Sequence, residues 1–241
     1  MGNPRKPPIL VTEQVIQRLA GQFTVRDIMI PLAELITATT EEEAIHLLHD
    51  KDDFNLIPIE TEAGVTGYVE RGIPGVSPIN LDVTVGSGCS ILDLVDVLVE
   101  RQFCFVVGKW GIEGCVHFSD LNHHLIRLPF YLLLQAVEAH VIFLIGDEFE
   151  EVDNIRIALN KEDANRIIAN FNKHKVNNAN RELLNEASLK EMLKFARRFG
   201  IVALNDDEIE ELYAVRNCLA HVPNRLVEKH DDVKRLMWTT R

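Results

Sequence analysis

The sequence predicts an α+β protein with two parts, a first half in which strands and helices alternate and a second half that is almost wholly helical. Short apolar runs separated by helix-like segments fill residues 21–128. After that, apolar residues recur at helical spacing, and Pro129 fits the first turn of a new helix. We therefore predict an N-terminal tail with a lead-in helix over residues 1–20, and two domains over 21–128 and 129–241.

The composition is typical of a soluble globular protein, with 241 residues, 46% hydrophobic and 26% charged. The four cysteines form no C-x-x-C pair, so we expect reduced thiols and a cytoplasmic location. No apolar run long enough for a signal peptide follows the basic N-terminus. The most apolar run, Phe130 to Gly146, contains Gln135, Glu138 and His140, and we interpret it as a buried helix rather than a membrane span.

The net charge of −12 is unevenly distributed. The first 128 residues carry 9 basic and 18 acidic side chains, and the remainder carry 16 and 19. The first half is therefore a poor nucleic-acid surface, whereas the second half has room for local basic patches. The sequence holds no P-loop, dinucleotide fingerprint, H-E-x-x-H or DNA-specific motif. The adjacent His123 and His124 point to different helix faces, so no metal site is predicted.

A weak internal repeat of about 50 to 60 residues runs through the first half. The first copy contains the entry segment Thr24–Pro31, a strand-like Leu35–Ala38, Thr40 as N-cap with Glu43 as its capping-box partner, a helix Glu41–His49, and strands Leu56–Ile59 and Val65–Val69. The second copy contains a strand Val83–Val85, Ser90 as N-cap, a helix Ile91–Arg101, strands Cys104–Val107 and Ile112–Phe118, and a helix opening at Ser119-Asp120-Leu121.

This β-α-β-β-α repeat resembles the cystathionine-β-synthase (CBS) domain, present as a tandem pair over residues 21–128. The resemblance rests on Val25-x-Asp27-x-Met29-x-Pro31 at the entry, Leu56-Ile57-Pro58-Ile59 in the middle and Gly114-x-Val116-x-x-x-Asp120-Leu121 at the end. It implies a regulatory module whose clefts bind adenosine nucleotides, and hence a regulatory ligand of the AMP, ADP or ATP type.

The resemblance also implies the residues of a nucleotide site. In that family an Asp of the closing motif binds the ribose hydroxyls, and Asp120 matches it. A Ser or Thr usually stands three residues earlier, near the phosphates; here His117 stands there, with Ser119 nearby. We expect these three residues to bind the nucleotide, the alternative being that Asp120 only caps its helix. In the first copy Ile73 replaces the Asp, so we expect that cleft to be empty or differently used.

The pattern of the second half predicts helices over about 129–146, 150–159, 161–174, 181–199, 206–221 and 225–237. Arg216, Asn217 and His221 fall in the last turn of the fifth of these, which Pro223 helps to end. At about 100° per residue, Asn217 and His221 lie on one ridge and Arg216 on the next. Asn217 can then orient the imidazole, and Arg216 adds a permanent positive charge. That set suits chemistry on a phosphodiester.

Arg216-Asn217-x-x-x-His221 in a helical domain resembles the HEPN family (higher eukaryotes and prokaryotes nucleotide-binding), over residues 129–241. Many members are metal-independent endoribonucleases that act as dimers, and others are inactive binding modules. The resemblance implies Arg216, Asn217 and His221 as catalytic residues, RNA as substrate, a homodimer and no catalytic cofactor. The simpler explanations are an ion pair of Arg216 with Glu208 or Glu211, and His221 as a helix C-cap.

The chemistry of these residues fits RNA cleavage by the 2′-hydroxyl. Histidine titrates near neutral pH and can accept or donate the proton, and arginine can hold phosphate oxygens. One histidine does not easily take both proton roles, so a dimer is expected to supply two. We predict a ligand-regulated endoribonuclease without membrane association. The alternative is a non-catalytic nucleotide-sensing interaction protein with an inactive HEPN-like domain.

Overall fold

The structure, a computed structural model, describes residues 18, 21–51, 54–176, 183–221 and 224–238. The described chain divides into two compact units. Residues 21–127 group with Val227–Trp238 in an N-terminal unit, and Leu128–Leu226 group with Arg18 in a helical unit. The sequence places Val227–Trp238 in the second domain, whereas the structure groups this segment with the N-terminal unit. The predicted tail and lead-in helix lie outside the described residues, apart from Arg18.

The N-terminal unit alternates strands and helices, as the sequence predicts. Its elements up to residue 117 are β1 (Ile30–Pro31), α1 (Glu41–Asp50), β2 (Leu56–Thr61), β3 (Gly64–Glu70), β4 (Ser77–Pro78), β5 (Thr84–Gly86), α2 (Ile91–Glu100), β6 (Phe103–Gly108) and β7 (Gly111–His117). The strands form one sheet of order β1-β7-β6-β5 and another of order β2-β3-β4. β5 is parallel to β6, and the other pairs are antiparallel. The mixed α+β class is therefore confirmed.

The two copies begin their helices with the predicted caps. The Thr40 side chain accepts from the Glu43 backbone N–H, and the Ser90 side chain accepts from the Asp93 N–H. The Glu43 carboxylate accepts from the backbone N–H and hydroxyl of Thr39, one residue before the predicted partner. Local side-chain chemistry thus starts α1 and α2 where the sequence places them.

The strand predicted over Leu35–Ala38 is not formed. A 3₁₀ turn covers Leu32–Glu34, and Ala38 makes only an isolated parallel bridge to Ile59. The Ala38 N–H donates to Pro58 and its carbonyl accepts from the Glu60 N–H, so one residue alone pairs with β2. The prediction was wrong because a short apolar run does not show whether a neighbouring strand offers more than one pairing position.

Close backbone approach explains Gly114 of the predicted closing motif. β1 pairs antiparallel with β7, with Pro31 opposite Gly114. A Cβ at Gly114 would collide with the Ile30 carbonyl oxygen and lie 3.2 Å from the Met29 Sδ. Only glycine therefore lets the entry segment pair with the closing strand.

The helical unit follows from residue 128. The helices that the structure describes after α2 are α3 (His124–Phe149), α4 (Val152–Ala158), α5 (Lys161–Val176), α6 (Leu189–Arg198), α7 (Asp206–Ala220) and α8 (Asp232–Trp238). The predicted helix 181–199 is instead a 3₁₀ turn, Leu183–Glu186, followed by α6. A capping box of Ser188 and Glu191 starts α6 afresh, which is the physical reason for the difference.

The apolar helix α3 is longer than predicted and is interrupted at Gly146, where φ is 33° and ψ is −125°. Within the described residues, His124–Gly146 is the stretch long and apolar enough to cross a membrane by length and composition, and 28% of it is buried. Core helices of soluble proteins can have the same length and composition but are mostly buried, so the expectation of a buried helix holds only for part of this stretch. Phe130 and Ile145 are buried as expected, whereas Phe143 and Leu144 are exposed.

The C-terminal helix α8 packs against α2 within the N-terminal unit. His230, which precedes it, places its Nε2 2.6 Å from the Leu98 carbonyl oxygen and 3.0 Å from that of Arg101. These carbonyls belong to the last turn of α2, which has no further helical N–H to bond. The imidazole therefore caps α2 from a segment that is distant in sequence.

Candidate functional site

A cavity of about 160 Å³, here called the cleft, lies in the N-terminal unit beside the end of β7. Residues of β1 and β2 and the segments next to them line the cavity together with the end of β7 and the segment that follows it. Its apolar wall is formed by Ile30, Leu35, Ile36, Phe54, Leu56 and Pro58. Its polar lining is formed by Asn55, His117, Ser119 and Asp120, with the thiol of Cys115. The three residues predicted to bind a nucleotide thus lie in one cavity.

The polar edge of the cleft is a capping box. The segment Phe118–Asn122 forms a 3₁₀ turn with His117 as its N-cap. The Asp120 Oδ2 accepts from the His117 backbone N–H at 2.8 Å. The His117 Nδ1 accepts from the Ser119 backbone N–H at 3.3 Å and lies 2.8 Å from the Ser119 Oγ. The Asp120 side chain therefore holds the His117 backbone, and the His117 ring holds the Ser119 backbone, at the start of the turn.

Asp120 caps the turn and also lines the cleft, so the cap is observed and ligand binding by Asp120 stays a prediction. One carboxylate oxygen serves the cap, and no described residue donates to the other, Oδ1. Burial raises the pKa of the Asp120 carboxyl, and the His117 N–H that it accepts opposes this rise. Asp120 thus presents a carboxylate oxygen toward the cavity that a hydroxyl group can satisfy.

His117 is half-buried, and burial together with the nearby His230 lowers the pKa of its imidazole. Its ring lies 4.3 Å from that of Phe118. Its Nε2 is 3.5 Å from the Asn55 Nδ2, at the outer limit of a hydrogen bond. Because the ordinary pKa of histidine is about 6.5, the ring is mainly neutral at pH 7. It then acts as a hydrogen-bonding group without charge.

Sequence reasoning missed Asn55 and the apolar wall supplied by the first copy. The repeat held a signal for Asn55. The Asn55 carbonyl accepts from the Arg71 N–H just after β3, and the Gln102 carbonyl accepts from the Phe118 N–H just after β7. Asn55 and Gln102 thus occupy equivalent positions in the two copies, each just before the first strand of a hairpin, β2–β3 and β6–β7 respectively. Equivalence within the repeat does not reveal which hairpin end borders a cavity, and the tertiary structure decides that.

The first copy departs from this arrangement. Ile73, which stands in place of the Asp, is 47% exposed. Nearby, Tyr68 packs against Phe103 and Phe105, with ring centroids 5.3 and 5.5 Å apart. These three rings are buried in one apolar cluster. The rings of Tyr68, Phe103 and Phe105 therefore fill the space next to β3 of the first copy.

The predicted catalytic residues lie together at the end of α7. Arg216 and Asn217 are partly exposed, and His221 is the exposed C-cap residue, with extended backbone. The His221 backbone N–H donates to the Asn217 carbonyl at 3.1 Å. Within the described residues no ion pair joins Arg216 to Glu208 or Glu211, the partners considered from the sequence. Pro223, expected to end the helix, lies outside the described residues.

A second cavity, of about 630 Å³, lies in the helical unit between α5, α6 and α7. Acidic and basic side chains alternate around it. Arg166 forms an ion pair with Glu191, and Lys190 bonds Glu210 at 2.7 Å while its Nζ lies 5.5 Å from the Tyr213 ring centroid. In the described ranges no group of three or more His, Cys, Asp or Glu side chains is arranged to hold a metal.

Comparison with known proteins identifies no family model and no curated protein that matches this chain. Solved structures of CBS domains match about 45% of it, in the N-terminal half. The CBS domain of the bacterial CNNM/CorC family Mg2+ transporter in complex with ATP is 18% identical, over 45% of this chain and 90% of that one, with a TM-score of 0.34. A CBS domain of a putative transporter from Clostridium difficile 630 is 15% identical over 43% and 94%, with a TM-score of 0.33.

A conserved CBS domain protein of unknown function from Thermoplasma acidophilum is 20% identical, over 48% of this chain and 76% of that one, with a TM-score of 0.33. The structure itself shows a mixed α+β protein with a strand-rich N-terminal part and a helical C-terminal part.

Proposed function

We propose that the N-terminal unit is a sensor that binds an adenosine-type ligand in the cleft and thereby regulates the helical unit. The observation that carries this proposal is the cleft itself, where an apolar wall faces the carboxylate of Asp120. Ligand sites combine apolar surface with a few convergent polar groups in this way. Regulation requires that the ligand bind two arrangements of the protein with different affinity.

The two sides of the cleft suit the two parts of a nucleoside. A planar base packs against the wall of Ile36, Phe54 and Pro58. The Asp120 carboxylate accepts hydrogen bonds from the vicinal ribose hydroxyls, which gives charge-assisted bonds. His117 and Ser119 border the same end of the cavity, where they complete the polar edge.

Titration calorimetry of the full chain with adenosine, AMP and ATP tests the sensor. We expect adenosine-type ligands to bind with micromolar affinity, and 2′-deoxyadenosine to bind at least tenfold more weakly than adenosine because it lacks the vicinal hydroxyl pair.

Asp120→Asn separates ligand binding from capping. Its amide oxygen still accepts from the His117 N–H, so the turn is retained, but the carboxylate is lost. We expect at least a tenfold loss of affinity at nearly unchanged melting temperature, whereas Asp120→Ala lowers both. Equal affinity in wild type and Asp120→Asn would remove Asp120 from the site.

For the helical unit we propose, as a second function, metal-independent endoribonuclease activity. The observation in favour is the set of Arg216, Asn217 and His221 on one accessible helix end, with the Arg216 guanidinium unpaired to Glu208 and Glu211 in the described part of the chain. An arginine in that state is available to hold a phosphate bidentately.

The reaction balances without a cofactor. The ribose 2′-oxygen attacks the adjacent phosphorus and the bond from phosphorus to the 5′-oxygen breaks, which leaves a 2′,3′-cyclic phosphate and a 5′-hydroxyl. One His221 accepts the 2′-hydroxyl proton, and a second imidazole donates a proton to the leaving oxygen. Arg216 stabilises the charge of the phosphorane. A homodimer that joins two motifs supplies both imidazoles.

Labelled single-stranded RNA incubated with the full chain and a chelator tests this activity. We expect cleavage with 2′,3′-cyclic phosphate ends, at least a hundredfold slower in His221→Ala and in Arg216→Ala. His49→Ala, which removes an exposed histidine of α1, is the matched control and retains full activity. Cleavage that persists in His221→Ala contradicts the assignment. If wild type cleaves no RNA, with or without adenosine, the helical unit is instead the non-catalytic interaction module of the alternative.

A further inference from the structure

We propose that the cleft selects an uncharged nucleoside and discriminates against its phosphorylated forms. This inference rests on the proposed sensor function and specifies the ligand of that same site. It is carried by three features of the polar edge: the backbone N–H groups at the start of the turn are already used, the described lining holds a carboxylate and no Lys or Arg, and the cavity is small.

The backbone N–H groups at the start of the 3₁₀ turn are satisfied within the protein. The His117 N–H donates to Asp120, and the Ser119 N–H donates to the His117 ring. A helix N-terminus attracts a phosphate because its first N–H groups lack partners. Here side chains have taken those positions, and the turn of five residues has little dipole to add. A phosphate would have to displace both caps.

The charge of the lining also disfavours a phosphate. Among the described residues that line the cleft, none is Lys or Arg, and Asp120 is acidic. His117 is the remaining basic group. The titratable group that acts on its ring is His230, while the Asp120 carboxylate bonds its backbone N–H; both burial and His230 disfavour the charged form of the ring. A phosphate monoester carries about −1.5 to −2 charges at pH 7, so it would meet a carboxylate without a compensating cation.

Two basic residues contact the wall without lining the cavity. The Arg71 guanidinium donates to the carbonyls of Leu48, Lys51 and Phe54, where it caps the end of α1. The Lys51 Nζ lies 5.6 Å from the Phe54 ring centroid. The Arg71 charge is thus committed to three backbone carbonyls, and the Lys51 charge lies over a ring of the wall.

The size of the cavity agrees with a small ligand. Its volume of about 160 Å³ is below the roughly 300–1,000 Å³ that is usual for sites of drug-sized ligands. The apolar wall and the Asp120 oxygen account for a base and a ribose, and the remaining polar lining residues, Asn55, His117 and Ser119, offer no Lys or Arg charge to a phosphate chain. The structure therefore assigns the site to the nucleoside.

The test is a comparison of dissociation constants for adenosine, AMP and ATP with the full chain at pH 7.5, with and without Mg2+. We expect adenosine to bind at least tenfold more tightly than AMP, and ATP to bind most weakly. AMP or ATP binding as tightly as adenosine overturns the inference but leaves the sensor intact. Absence of binding by all three refutes the sensor function and this inference with it.

A charge-insertion pair sharpens the comparison. Asn55→Lys places a cation on an exposed lining position 3.5 Å from the His117 ring, and it should improve AMP binding at least fivefold relative to adenosine. Thr66→Lys adds the same charge at an exposed position of β3, near the turn to β2 and outside the cleft. It should leave the ratio of AMP affinity to adenosine affinity unchanged. If Asn55→Lys leaves the ratio of AMP to adenosine affinity unchanged, or Thr66→Lys raises it equally, the lack of a cation in the cleft is not the reason for weak AMP binding, and the inference is contradicted.

Discussion

Asn122 and Val227, 105 residues apart, form a reciprocal pair of hydrogen bonds. The Asn122 Nδ2 donates to the Val227 carbonyl at 2.7 Å, and the Val227 N–H donates to the Asn122 Oδ1 at 3.1 Å. Val227 is buried, so its backbone groups need these partners. One amide side chain thus joins the turn beside the cleft to the segment that leads into α8.

Asn122→Ala should release that segment. Two buried backbone groups lose their partners, which costs about 1–3 kcal/mol of unfolding free energy. Hydrogen–deuterium exchange should rise at least tenfold in Val227–Trp238. Asn165→Ala, at an exposed position of α5, is the control and should change neither quantity. Unaltered exchange in Asn122→Ala would show that other contacts hold α8 to α2.

Gly114→Ala should destabilise the N-terminal unit by about 1–3 kcal/mol, because a Cβ would collide with the Ile30 carbonyl oxygen and force β1 away from β7. Urea denaturation measures the loss. Gly86→Ala is the matched control, since a Cβ there meets no atom within 4 Å, and its effect should stay within about 0.5 kcal/mol. Equal stability of the two variants would contradict the close approach.

Glu191 is a buried charged residue of the helical unit, and its removal tests how much its hydrogen bonds and ion pair stabilise that unit. It accepts from the Ser188 backbone N–H at 2.7 Å and from the Ser188 hydroxyl at 2.8 Å, and it pairs with Arg166 of α5. Glu191→Ala should cost about 2 kcal/mol or more through the lost cap and the lost pair. The exposed Glu162→Ala of α5 should cost little. A loss as small as that of the control would show that the pair adds no net stability.

The cysteines should differ in reactivity. Burial raises the pKa of the Cys104 thiol to about 12 and raises that of Cys115 as well, so few thiolates form near neutral pH. With iodoacetamide at pH 8, we expect both to be alkylated at least a hundredfold more slowly in the native protein than in urea, as followed by peptide mass spectrometry. Fast native labelling of either would show that β6 and β7 open readily.

Falling pH should weaken the N-terminal unit through His117. Its pKa is lowered in the folded state, so the unfolded chain takes up the proton first, and stability present above about pH 6.5 is lost as the pH falls. Asp120, whose pKa is raised, acts in the opposite direction at lower pH. His117→Gln keeps an acceptor for the Ser119 N–H, and it should show a smaller stability loss between pH 7 and pH 5.5 in urea titrations. His49→Gln should behave as wild type; a wild-type slope in His117→Gln would contradict this assignment.

How far sequence reasoning reached depends on the range of each interaction. Thr40 and Ser90 start α1 and α2 as predicted, because a cap involves residues only three positions apart. Arg216 and His221 fall at the end of α7 as predicted, because helical periodicity is also a local property of the sequence. The strand predicted over Leu35–Ala38 is not formed, because strand pairing depends on a partner strand that a local sequence pattern does not describe.

The sequence by itself determined the alternation of helices and hairpins, the helix caps, and His117, Ser119 and Asp120 as one group around a turn. Only the tertiary structure decided that Asn55 and an apolar wall from the first copy face that group, and that α8 packs on α2. Those contacts join residues far apart in the chain. They follow from burial of apolar surface and from pairing of buried polar groups, which depend on the whole fold rather than on neighbouring residues.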